Sequence, residues 1–137
     1  MTIDYLKTQK IIHWLMAIII MLDLNVAQKF GGNMELWDRL ESRADHATAG
    51  MIVTFLFLLR VALRYVYGAP KLPSTMPTWQ VVSAKLGHYS LYFLMAGLII
   101  TGISMASFAS DPIIVFGIDL AFACLLYTSP SPRDNRT

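Results

Sequence analysis

At 137 residues, 55% of them hydrophobic and 15% charged, with a mean hydropathy of +0.52, the chain is too apolar for an ordinary water-soluble domain and falls among membrane proteins. Its formal charge of +2 is no signature of nucleic-acid binding, because the basic residues flank apolar runs, where they meet lipid headgroups. The one cysteine, Cys124, lies in a polar C-terminal stretch, so nothing upstream supports a disulfide, a thiol nucleophile or a cysteine metal site.

The first predicted element runs from about Ile11 to Ala27, with the dense core IIHWLMAIIIMLDL. A bilayer core of roughly 30 Å needs about 20 residues of helix, and this run is close to that. It is too long for a signal peptide, no small-residue cleavage site follows it, and His13 sits inside it. Asp23 and Asn25, near its far end, read as interfacial. Gln28 to Asp45 is polar and of mixed charge, and is expected to be a loop.

A second spanning run extends from about His46 to Tyr67, through AGMIVTFLFLLRVALRYVY. Gly68 to Lys85 contains GAPKLPSTMP, whose prolines cannot continue a helix. The third run, Leu86 to Phe108, again has spanning length. In hydrocarbon each run must satisfy its own backbone hydrogen bonds, which leaves the α-helix as the form for all three.

Asp111 to Ala123 (DPIIVFGIDLAFA) is too short to span, opens on Asp-Pro, and is expected to be an interfacial loop. At Cys124 the composition turns from apolar to Ser/Pro/Arg-rich. The string CLLYTSPSPRD is what a common transposase-adapter DNA encodes in one reading frame. Residues 124–137 are therefore expected to be a translated sequencing adapter, non-native and disordered, with native protein over residues 1–123.

Lysine and arginine near the helix ends set the expected orientation. Lys7 and Lys10 precede or open the first run, and Arg60, Arg64, Lys71 and Lys85 surround the second connection, against Lys29, Arg39 and Arg43 in the first. The positive-inside rule then places the N-terminus in the cytoplasm.

The chemical signal lies in the three histidines, His13, His46 and His88, each near the start of a predicted spanning helix. A histidine inside a membrane helix usually faces the bundle interior and marks a site. Neutral imidazole is also a common axial ligand of haem iron, binding through one nitrogen while the other donates to a nearby acceptor. The plainer alternative is a ring satisfied by water or a headgroup. Because consecutive helices run antiparallel, His13 and His46 fall at opposite membrane faces, on the order of 20 Å apart, and cannot share an iron. His88 returns to the side of His13, so three helices alone suggest one haem between His13 and His88.

The local wording is more specific than the count. His13-Trp14 opens the first run; His46-Ala-Thr-Ala-Gly50 opens the second, which closes on RVALRY with Arg60 and Arg64; Leu86-Gly-His-Tyr-Ser-Leu-Tyr92 opens the third. In this order and spacing residues 1–123 resemble the bacterial cytochrome b561 family, four-helix membrane cytochromes carrying two b-type haems. The resemblance implies an all-α membrane protein: three transmembrane helices of an incomplete up-down four-helix bundle. It implies one haem b near each face, with a fourth helix supplying two histidines that complete both pairs. By that pattern His13 is the iron ligand of the cytoplasmic-side haem and His46 of the opposite one. His88 is a cofactor contact near the first rather than an axial ligand. A chain lacking the fourth helix is then expected to hold haem poorly or not at all.

Other residues carry two readings each. Arg60 and Arg64, one helical turn apart, either pair with haem propionates or snorkel to headgroups. Trp14, Tyr65, Tyr67, Tyr89 and Tyr92 fit an aromatic belt, with a quinone-stacking or electron-path role as the alternative. Gly50, Gly87, Gly97, Gly102 and Ala106 offer places for close helix approach, and Gly50 lies one turn beyond His46, where it leaves room for a porphyrin.

The resemblance implies a function in the bacterial inner membrane: single electrons pass across the bilayer between quinone and a donor or acceptor at the opposite face. That partner is superoxide in some members and a redox protein in others. Two alternatives remain open at this point. One is the cytochrome b anchor subunit of a hydrogenase or formate dehydrogenase complex. The other is a cofactor-free helical membrane protein with interfacial or proton-relaying histidines.

Overall fold

A computed structural model of the chain describes residues 7–29, 32–108, 113–115 and 118–119. The elements in chain order are α1 (Lys7–Gln28), α2 (Leu36–Tyr67), α3 (Thr78–Phe108), β1 (Ile114–Val115) and β2 (Ile118–Asp119). All three helices are long and apolar enough to cross a membrane, and they follow one another up, down and up. The all-α membrane architecture expected from hydropathy is the one observed.

The helices begin well before the apolar runs do. α2 starts at Leu36 rather than near His46, and α3 at Thr78 rather than near Leu86. The segment LWDRLESRAD is polar, yet it is built from good helix formers and carries Asp38 in its first turn, where a carboxylate meets the positive end of the helix dipole. At its other end α2 stops on Gly68, at φ 70°, whose N–H bonds the Arg64 carbonyl at 2.9 Å; this is a glycine cap in the left-handed region. Pro73 to Pro77 forms the turn that follows, and the Pro77 carbonyl accepts the N–H groups of Gln80 and Val81 to open α3. With 32 and 31 residues, α2 and α3 are roughly 48 and 46 Å long. Both outreach a hydrocarbon layer of roughly 30 Å and continue as helix into the interface.

α1 packs against α2 along most of its length, while α3 lies more lightly on the pair. The seam consists of Ile12 and Met16 from α1 against Val53, Leu56 and Phe57 from α2. Tyr92, Met95, Ala96 and Ile99 of α3 close over one side of it, with the Tyr92 and Phe57 rings 5.9 Å apart. Most other large apolar side chains point outward, among them Leu22, Phe55, Phe93, Leu98 and Met105. In water such a surface would be untenable; against lipid tails it is the ordinary condition of a spanning helix. The hydroxyls of Thr101, Ser104 and Ser107 donate to carbonyls one turn back in α3, which removes the cost of showing them to hydrocarbon.

Two hydrogen bonds between side chain and neighbouring helix bracket the α1–α2 seam. At one end the Gln9 amide donates to the Leu63 carbonyl at 3.3 Å, from a side chain that is itself buried. At the other, His46 and Asp23 meet. Beyond α3 the segment expected to be a loop contains a small antiparallel ladder pairing Ile114 with Asp119 and Val115 with Ile118. Val115 is buried where β1 touches α2. Residues 124–137, expected to be foreign to the protein, lie outside the described residues.

Candidate functional site

At the end of the bundle where α1 and α3 begin their spans, α1, α2 and α3 enclose an open groove. Its polar lobe, about 180 Å³, is lined by Gln9, Lys10, His13, Trp14, Arg60, Arg64, His88 and Tyr92. Its apolar lobe, about 270 Å³, adds Met16, Ala17, Ile20, Phe57, Leu91 and Met95. The two lobes share His13, Arg60, His88 and Tyr92 and form one continuous cleft. Helical spacing explains the α1 wall, because His13, Met16, Ala17 and Ile20 fall on one face at i, i+3, i+4 and i+7. The same spacing puts Arg60 and Arg64 one above the other on α2. Among the sequence candidates, His13, His88, Arg60 and Arg64 are thus brought together.

The rings are held differently. The His13 ring stands edge-on to Trp14, with centroids 5.6 Å apart and planes at 70°. The His88 Nδ1–H donates to the carbonyl of Ala84, one turn back, at 2.6 Å. That bond fixes the ring's tautomer, so a metal reaching His88 would take Nε2.

His46 stands apart from this groove. Eleven residues into α2 rather than in its first turn, it reaches across to α1, where its Nδ1–H donates to Asp23 Oδ1 at 2.8 Å. Asp23 is 17% exposed and His46 is 47% exposed. Asp23 had no predicted role beyond the interface; the structure makes it the partner of a candidate ligand. Asn25, read in the same way, caps the Met21 carbonyl of its own helix. Ten residues of α1 separate the level of His13 from that of Asp23, which sets the two histidine levels roughly 15 Å apart along the bundle, closer than the 20 Å expected. The conclusion that they cannot serve one iron stands.

Tyr92 is no belt residue, since it is half-buried between the groove and Phe57. Trp14, Tyr65, Tyr67 and Tyr89 are exposed, as a belt requires. Of the small residues, Ala106 is buried, whereas the glycines do not act as helix contacts. A Cβ placed on Gly50, Gly87, Gly97 or Gly102 would meet nothing within 4 Å, so no neighbouring helix presses on them. The open space at Gly50, one turn beyond His46, is compatible with a flat ligand lying there.

The donor set suits a haem. Among the described residues no group of three or more His, Cys, Asp or Glu side chains is placed to hold a bare metal ion. A porphyrin, however, brings four of its iron's ligands and asks the protein for only one or two imidazoles. An apolar cleft with histidines on two walls and two guanidiniums at its polar mouth matches a planar apolar ring with two carboxylates on one edge. Comparison with known families agrees: a profile described as prokaryotic cytochrome b561 matches residues 4–128. The match covers all three helices and runs five residues past the change in composition at Cys124. The chain therefore belongs to the prokaryotic cytochrome b561 family, multi-pass bacterial membrane proteins that carry haem b and transfer electrons.

Proposed function

We propose that this protein carries single electrons across the inner membrane between quinone and a donor or acceptor at the opposite face, through two haem b groups. The observation that supports this most is the arrangement of histidines at two levels of one helix pair: His13 beside the arginine-lined groove, His46 at the far end of α1 and α2. In this reading His13 and His46 would each hold the iron of a separate haem, with a second ligand for each on a further helix, as the family pattern implies. When bound, haem iron supplies the one-electron chemistry.

The remaining work falls to this chain's own side chains. Arg60 and Arg64, at the polar mouth of the groove, neutralise the propionates that a haem would present there. Met16, Ala17, Ile20, Phe57, Leu91 and Met95 give a dry apolar wall. That wall excludes water and tunes the redox potential through the local dielectric. Lys10, at the same mouth, offers a donor to a quinone head group or its anion, and His88 Nε2, left unprotonated by the Nδ1–H bond to Ala84, accepts from the hydroxyl of the reduced form. At the far face a small oxygen species such as superoxide, or an electron-transfer protein, is the proposed donor. The excess of lysine and arginine around the groove end supports a cytoplasmic location for that end and for the N-terminus.

A second reading is favoured by one observation, that His13 and His88 line the same cleft from two helices. There a single haem would sit between them. Haem content per protein, measured on the chain together with the further helix that the family pattern implies, separates the two readings. His13→Ala and His46→Ala should each remove one of two haems and leave helix content unchanged, while His88→Ala should alter the spectrum of one haem without removing it. Haem content unmoved by His46→Ala but abolished by His88→Ala would establish the second reading. A colourless wild-type protein that includes that helix would sink both.

A further inference from the structure

We infer that Asp23 is the positioning residue of the far-end site: its carboxylate fixes the His46 ring so that Nε2 is the nitrogen offered to iron, and makes that imidazole a stronger electron donor. The inference rests on the reading of His46 as an axial ligand. Asp23 lies within an apolar spanning helix, where a carboxylate is costly and is kept only with a partner. Its partner is a ring nitrogen on another helix, at a distance typical of a charge-assisted bond, 2.8 Å. The contact joins residues 23 positions apart in sequence, so no regularity within a single helix produces it.

Contrast with the groove end sharpens the point. There the comparable Nδ1–H, that of His88, goes to a neutral carbonyl of its own helix. A carboxylate acceptor draws the ring proton more strongly than a carbonyl does and leaves more electron density on the opposite nitrogen. A haem ligated at His46 is therefore held at lower potential than the same ligation without Asp23 would give.

The test uses two measurements on wild type, Asp23→Asn, Asp23→Ala and Asp23→Glu. In the first, protein with ¹⁵N-labelled histidine is studied in lipid nanodiscs without added haem. The three histidines are assigned by replacing each in turn. His46 should show the Nδ1–H tautomer in wild type, lose that preference in Asp23→Ala, and regain it in Asp23→Glu. In the second, the haem-loaded protein is titrated electrochemically with optical detection. Asp23→Asn should raise the potential of one haem, leave the other unmoved and keep haem content intact. A His46 tautomer indifferent to residue 23, or potentials unchanged in Asp23→Asn, would overturn the assignment to Asp23. Absence of haem from a wild-type protein that includes the further helix would instead overturn the ligand reading on which it rests, and the tautomer measurement would still report whether Asp23 orients the ring.

Discussion

Individual residues on α1 do most of the specifying. Gln9 is a buried amide in an otherwise apolar interface, and its bond to the Leu63 carbonyl is made across helices. Inter-helix hydrogen bonds of this kind contribute about 0.6 kcal/mol in membrane proteins, with about 1.7 kcal/mol as an upper value. Gln9→Ala should weaken the α1–α2 pairing by roughly that amount, read as a lower midpoint in detergent-driven unfolding, and Gln9→Leu should lose less because it keeps the packing. At this scale the sequence was only partly legible. His13, His88, Arg60 and Arg64 carry their chemistry in their type, and they do converge on one groove. Asp23 did not announce itself, because a carboxylate near a helix end has a sufficient explanation in water and headgroups, and Tyr92 carried a site role only as the alternative to a belt. In an antiparallel hairpin, though, each α1 residue faces the α2 residue about as far beyond the turn as it lies before it. Counting outward from the polar segment puts Asp23 within about one turn of His46, so the pairing was available to that argument.

Helix boundaries followed a different logic from hydropathy. Apolar runs report where lipid begins, and they located all three spans. They do not report where the helix begins, because a bilayer ends at a water interface in which a polar helix is equally stable. LWDRLESRAD and Thr78 to Lys85 are helical for that reason, and the histidines of α2 and α3 sit a few turns in rather than at the first turn. The stops are set by residue type and were readable: Gly68 and the following prolines end α2 where the composition says they should. Gly68 has φ 70° and open space around a would-be Cβ, so Gly68→Ala meets backbone strain but no clash. It should cost about 1 kcal/mol of stability, and Gly68→Asn less, since asparagine tolerates the left-handed region. Thermal or denaturant midpoints of the two variants would check the order.

For the molecule as a whole, orientation is the claim open to the cheapest test. With the N-terminus in the cytoplasm and Cys124 replaced by serine, a cysteine at Ser74 in the α2–α3 connection should react with a membrane-impermeant maleimide only after the cells are opened. One at Gly32 in the α1–α2 connection should react in intact cells. The reverse pattern would invert the direction of electron flow proposed here. Whole-molecule architecture was the most legible level, since three spans and their alternation follow from length and composition alone. The cleft was not, because it depends on how far α3 stands off the α1–α2 pair, which no periodicity encodes. The two side-chain bonds that bracket that pair, at Gln9 and at Asp23, make α1 behave as a ruler laid along α2. Sliding it by one turn, roughly 5.4 Å, would unseat His46 from Asp23 and carry His13 past Arg60 in the same movement. The two sites therefore have no independent adjustment: a change that shifts one end of the ruler is felt at the other, and the vertical interval across which an electron must pass is fixed by the hairpin itself.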